Sequence, residues 1–97
     1  MNNAYNKDLI KLAKHCASGL GLNSFMREGV YVMTGGPNYE TIAEIRFLVN
    51  YGDAIGMSTA HEVTVAHHCG LKVFGMSLIT NKCISDYESK EAANHEE

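Results

Sequence analysis

The sequence has no basic cluster, no long apolar run and too few cysteines for a disulfide framework. Each absence removes a class of function. The formal net charge is −3 at pH 7, which argues against a nucleic-acid surface, since phosphate binding needs clustered Lys and Arg. No apolar stretch approaches the roughly 20 residues that span a bilayer. The N-terminus, MNNAYNKDLIK, lacks the charged-then-apolar layout of a signal peptide. Cys16, Cys69 and Cys83 are odd in number and far apart, so free thiols in a reducing cytoplasm fit better than disulfides. His67, His68 and Cys69 are consecutive; on a helix they fan out by about 100° each, too widely for one metal ion. There is no H-x-x-x-H, C-x-x-C, P-loop or G-x-G-x-x-G. The stretch GMSTA lacks the second glycine of a serine nucleophile elbow. Metal, cofactor and acyl-transfer chemistry are therefore left without support.

What is present is one short domain with a clear alternation. The 97 residues make one domain at most, and at this size roughly 60–65% of the unfolded chain's surface is buried on folding. No repeat, linker or low-complexity tract divides residues 1–97. Leu9, Ile10, Leu12, Ala13 and Cys16 recur at helical spacing across residues 4–18 and predict a helix ended by Gly19 and Gly21. Val30 to Met33 is a short β-rich run and Asp53 to Met57 a second. Lys72 to Thr80, KVFGMSLIT, is the longest apolar run and the strongest strand candidate. Thr41-x-x-Glu44 and Thr59-x-x-Glu62 are capping boxes that open two helices, closed by Gly52 and Gly70. SKEAANHEE begins a last helix, and the sequence stops inside it as if cut.

The order helix, β-α-β-α-β, helix predicts an α/β fold with a parallel sheet and right-handed crossovers. Ligands on such sheets bind beyond the carboxyl ends of the strands. Those ends carry Thr34-Gly35-Gly36, Met57-Ser58-Thr59 and Thr80-Asn81-Lys82, with Tyr39 and Glu40 just past the first. Each candidate also has an ordinary role. Glu40 precedes a helix N-terminus, where a carboxylate is favoured electrostatically. Tyr39 suits a staple against its own helix, and the two glycines suit a turn. Thr59 is explained as a cap; Ser58 is spare, and a hydroxyl at a helix N-terminus suits an anion. Asn81 suits a turn after a strand. The residues alone reach a parallel α/β domain with one polar rim for an anionic small molecule, and no reaction.

Three stretches carry a resemblance: YVMTGGPNYETIAE, AIGMSTAHEVTVAHHCGLKVFG, and SLITNKCISDYES followed by ANHEE. They resemble the carboxy-terminal portion of the trimeric purine nucleoside phosphorylases, and the likeness runs over essentially the whole chain. G-P-x-[FY]-E-T, G-M-S-T and T-N-K in this order are specific to that family. The resemblance implies a nucleoside phosphorylase-type three-layer α/β sandwich, incomplete in this chain. It implies phosphorolysis of inosine and guanosine to free base and ribose 1-phosphate, with inorganic phosphate as co-substrate and no cofactor or metal.

Carried over by position, Glu40 matches the carboxylate that accepts from purine N1–H and the 2-amino group. Asn81 matches the amide that contacts N7 and O6. Tyr39 stands where an aromatic residue packs on the base, and Ile55, Gly56 and Thr80 where the base pocket is lined. Met57 matches the residue beside the ribose, Ser58 a phosphate-contacting hydroxyl, and His95 the histidine that bonds the 5′-hydroxyl. Glu40 and Asn81 are the pair expected to act in catalysis. A Glu/Asn pair suits a 6-oxopurine; methylthioadenosine phosphorylases lack that Glu and carry Asp in place of the Asn. A cytoplasmic homotrimer is implied for the complete enzyme, with no nucleic-acid or membrane partner.

Departures are visible. TGG stands where VAG or AG is common, STAHE where STVPE is familiar, and the turn in NYGDAIG is one residue short. The family's phosphate loop, its Arg and His phosphate ligands, and an aromatic residue from the neighbouring subunit would all precede Met1. The chain is thus expected to be a partial domain. The alternative is a truncated, non-catalytic module that binds purine weakly or associates with full-length subunits.

Overall fold

A computed structural model describes residues 1–88, and these form two compact units. The last predicted helix, and with it His95, lies outside the described residues.

The first unit comprises Met1–Glu28 and Ser58–Met76. Helix α1, Lys7–Gly19, begins later than the periodicity suggests because Asn6 caps it: its side-chain oxygen accepts from Leu9 N–H at 2.9 Å. It ends in a Schellman arrangement. Gly21 sits at φ 72°, its N–H bonds the Ser18 carbonyl, and Leu22 N–H bonds that of Ala17. A 3₁₀ turn, Asn23–Phe25, follows. Helix α3, Ala60–His68, ends the same way, with Gly70 at φ 76° and bonds from Gly70 to His67 and from Leu71 to Ala66. (Helix α2, Ile42–Leu48, belongs to the second unit.)

The capping box expected at Thr59 does not form. Such a box needs an extended residue at the cap position, but Thr59 is at φ 83° and makes no side-chain bond to the helix. Its hydroxyl lies 3.1 Å from that of Ser58 instead.

The second unit, Gly29–Met57 with residues 77–88, contains a β-α-β unit. Strand β1, Tyr31–Met33, pairs in parallel with β2, Ala54–Gly56, in the register Tyr31 to Ala54, Val32 to Ile55 and Met33 to Gly56. Helix α2, Ile42–Leu48, connects them, and here the predicted capping box is present. Thr41 N–H donates to Glu44 at 3.0 Å and Glu44 N–H to the Thr41 hydroxyl at 3.2 Å. Those bonds from the Thr41 backbone and then its hydroxyl hold the Glu44 carboxyl below its ordinary value. Gly52 returns the chain so tightly that a Cβ there would meet the Val32 side chain.

The third predicted strand is corrected. Within Lys72–Thr80 only Val73 pairs, through one parallel bridge to Tyr5. Apolar composition supplies strand propensity, but a strand is made by partners on its edges. Among the described residues the rest of this run has none. Leu78 is accordingly 88% exposed and Ile79 66%. Ala4, Ala17, Ile45 and Val63 are the buried apolar residues of the described chain.

Candidate functional site

The carboxyl ends of β1 and β2 open onto a cavity of about 960 Å³ that lies wholly in the second unit. Glu40, Tyr39, Ile55, Gly56, Met57, Thr80 and Asn81 all line it. Seven positions picked from the sequence, drawn from three separate stretches of chain, therefore share one concave surface. Ser58 belongs to the first unit and His95 is not among the described residues.

Local structure explains how each group arrives there. Thr34 N–H donates to the Gly56 carbonyl at 2.8 Å, so the sheet pairing runs one residue past β1 before the chain turns away. The turn passes through Gly36 at φ 59°, where a Cβ would strike the Met57 side chain. Only glycine tolerates both conditions cheaply. Tyr39 and Glu40 follow, immediately before the Thr41 cap. Apolar side chains such as Val32, Ile45, Leu48 and Ile79 line the rest of the cavity. A mostly apolar concavity with a few convergent polar groups is the usual make-up of a small-molecule site.

Two polar groups are oriented by neighbours. The Thr34 hydroxyl donates to Glu40 Oε1 at 2.6 Å. The Thr80 hydroxyl donates to Asn81 Oδ1 at 3.1 Å. With one lone pair of Oδ1 engaged, the Asn81 amide keeps both of its N–H bonds to offer. The cavity thus presents an acceptor at Glu40 and a donor at Asn81, the combination needed to read a ring that carries both N–H and C=O on its edge.

Three residues in or beside the cavity wall were missed or undervalued by sequence reading. Thr34 stood out as the end of a strand and as a departure from a familiar motif, with no role of its own. Cys83 is half-buried in the cavity wall, and burial first, then the charge of Glu40, push its thiol above the ordinary value. Arg46 ties the loop after Asn81 to α2. Its Nε donates to the Ser85 carbonyl at 2.9 Å and its guanidinium lies 4.7 Å from the Tyr87 ring centre. Nothing in the spacing of a lone Arg on a helix forecasts that tether. Among the described residues no three His, Cys, Asp or Glu gather as a metal site, and no helix is long and apolar enough to cross a membrane.

Comparison with known proteins supplies the wider frame. Residues 1–97 match the family model described as the phosphorylase superfamily. The purine nucleoside phosphorylase of Bos taurus is 57% identical over 98 residues, which is 100% of this chain and 34% of that protein. Schistosoma mansoni purine nucleoside phosphorylase in complex with inosine superposes with a TM-score of 0.94 at 51% identity, covering 98% of this chain and 34% of that one. The complex of the same enzyme with adenosine gives the same TM-score of 0.94 and identity of 51% over the same shares of the two chains, 98% and 34%. The chain spans about a third of the length of the curated relatives it matches. The two-stranded parallel β-α-β unit is an incomplete form of the fold those enzymes share.

Proposed function

The chain belongs to the phosphorylase superfamily, in its purine nucleoside phosphorylase branch, and from that premise we propose that it supplies the purine-holding part of an enzyme that cleaves inosine and guanosine with inorganic phosphate. The observation that carries the reading is the shared cavity with an acceptor at Glu40 and a donor at Asn81. Glu40 accepts the purine's N1–H and, in guanosine, its 2-amino group. Asn81 donates to N7 and O6. Tyr39 packs on the ring, with Ile55, Gly56 and Thr80 around it and Met57 toward the sugar. Ser58 is assigned to phosphate and His95 to the 5′-hydroxyl.

The chemistry follows from where charge moves. A phosphate oxygen forms a bond to C1′ as the C1′–N9 bond breaks, and the bonding electrons pass to the purine. The sugar becomes oxocarbenium-like and the leaving base carries negative charge. A donor at N7 stabilises that charge, an effect worth about 2.7–4 kcal/mol for one well-placed group. Glu40 fixes the leaving group's orientation. Phosphate is the nucleophile, so no activated Ser or Cys is required. The reading extends to a cytoplasmic homotrimer for the complete enzyme. A related enzyme binds adenosine as well as inosine, so discrimination at position 6 is assigned to rate and not to admission.

The test is a complete enzyme carrying these residues: the bovine relative with its matching 98 residues exchanged for this chain. It should release hypoxanthine from inosine and guanine from guanosine only when phosphate is present. A folded exchange protein without phosphate-dependent turnover overturns the proposal.

The same protein tests the thiol. Its pKa is raised, so Cys83 stays protonated at neutral pH, and stability falls as pH climbs past the ordinary thiol range, where the unfolded chain ionises first. Removing the Glu40 charge by Glu40→Gln should speed iodoacetamide alkylation of Cys83 at pH 8 by about two- to fivefold, burial keeping the remainder of the shift. Mass spectrometry of the Cys83 peptide reads it. An unchanged rate means that Glu40 does not face the thiol.

A further inference from the structure

Glu40, the group assigned to the purine edge, is itself held. Five residues separate it from Thr34, and that intervening loop has no regular structure. Four of them, Gly35, Pro37, Asn38 and Tyr39, are exposed. A carboxylate at the end of such a loop, on a side chain with three rotatable bonds, has no fixed plane of its own. Thr34 is differently placed. Its N–H bonds the Gly56 carbonyl at 2.8 Å, which anchors its backbone to the end of β2. From there its hydroxyl reaches Glu40 Oε1 at 2.6 Å in half-buried surroundings. The sheet therefore reaches the carboxylate through one hydroxyl.

We propose that Thr34 is a positioning residue for Glu40 and thereby sets how well guanosine is used relative to inosine. The inference rests on the reading that Glu40 takes the N1 edge of a 6-oxopurine. A carboxylate has about four lone-pair sites on two oxygens. The Thr34 hydroxyl occupies one on Oε1. That leaves the other site on Oε1 and both on Oε2, enough to accept two parallel N–H bonds side by side. Guanine offers two such bonds, from N1–H and the 2-amino group, and hypoxanthine offers one. Two parallel bonds constrain the carboxylate plane; a single bond tolerates rotation about its own axis. Fixing the plane is consequently worth more to guanosine.

In the complete enzyme carrying this chain, Thr34→Val keeps the shape and removes the hydroxyl, while Thr34→Ser keeps the hydroxyl. The valine variant should raise KM for guanosine by about tenfold and for inosine by about threefold, with kcat within about twofold for both, the signature of lost binding common to ground and transition states. The serine variant should stay within about twofold of the parent. Unchanged kinetics in Thr34→Val overturn the inference. So does a serine variant that falls as far as the valine one, or an equal loss for both nucleosides, since either marks a role in packing alone. Glu40→Gln separates this claim from the one beneath it. If Glu40→Gln leaves both nucleosides unaffected, the reading of Glu40 fails and the role of Thr34 falls with it. If Glu40→Gln cripples turnover while Thr34→Val is silent, only the positioning role is overturned.

Discussion

Incubated with inosine and inorganic phosphate, the purified 97-residue chain should release no hypoxanthine above background. Two physical reasons point the same way. The first is packing. Among the described residues the buried apolar set is Ala4, Ala17, Ile45 and Val63, and no large side chain is fully buried. Leu12, Phe25, Phe47, Tyr51, Val65 and Leu78 stand exposed. Burial is worth about 25 cal/mol per Å² of apolar surface, and side chains left in water contribute none of it against a backbone entropy of about 1–2 kcal/mol per residue. Parallel sheets are normally covered on both faces, and among the described residues this one has two strands.

The second reason is chemical. Ser58 is the one phosphate contact assigned here, and transition-state contacts of about 3 kcal/mol each compound to many decades in rate when several are missing. The isolated chain should therefore also lack a cooperative thermal transition and should bind a hydrophobic dye. Turnover at rates typical of an enzyme, about 1–1000 per second, would sink this expectation, as would a sharp melting transition of a monodisperse monomer.

How much of this was legible beforehand depends on the kind of signal. Local signals were strong. Thr41 and Glu44 specify a capping box through side chains three residues apart, and it forms as expected. Gly21 and Gly70 end their helices at positive φ, a conformation that glycine adopts without cost. The β-α-β alternation gave the parallel pairing of β1 with β2. The failures have two causes, a strand without partners along the chain and a turn that overrides a cap. KVFGMSLIT carries every local mark of a strand, yet pairs through Val73 alone. Thr59 has the sequence of a cap, but its backbone is placed at φ 83° by the turn it must make.

The site divides in the same way. The positions of Glu40 and Tyr39 past the end of β1 were visible from topology; Asn81 was expected at the end of a strand that does not form, yet it lines the same cavity. Their proposed role as purine contacts came from resemblance to a family, not from spacing. The groups that hold them, Thr34 on Glu40 and Thr80 on Asn81, are single hydroxyls whose partners lie six residues away or one. No periodicity marks such a pair in advance. Arg46 reaching Ser85 across 39 positions is less visible still.

The other large effect expected is at Asn81. Its Oδ1 accepts from the Thr80 hydroxyl at 3.1 Å, and in the proposed reading its amide N–H bonds go to O6 and N7 of a 6-oxopurine. In Asn81→Asp an ionised carboxylate faces O6 with no proton to give, and Thr80 can still donate to it. The lost donor and the added repulsion should cost inosine and guanosine about 2–4 kcal/mol at the transition state, or about 30- to 1000-fold in kcat/KM. Adenosine responds in the opposite sense. Its 6-amino group donates to the new carboxylate, so one of its bonds is gained where the oxopurines lose one. Glu40 limits that gain, because adenine N1 carries no proton and two acceptors then face each other.

The ratio of kcat/KM for adenosine over inosine, compared between Asn81→Asp and the parent in the complete enzyme carrying this chain, tests the central claim most directly. Both nucleosides share the sugar, the phosphate and the fold, so general damage from the substitution cancels and only the reading of position 6 remains. A ratio that rises by about tenfold or more is the result expected of a cavity in which Asn81 reads the 6-position of the purine. A ratio that stays level or drops would contradict that assignment, and with it the pocket built on Glu40 and Asn81.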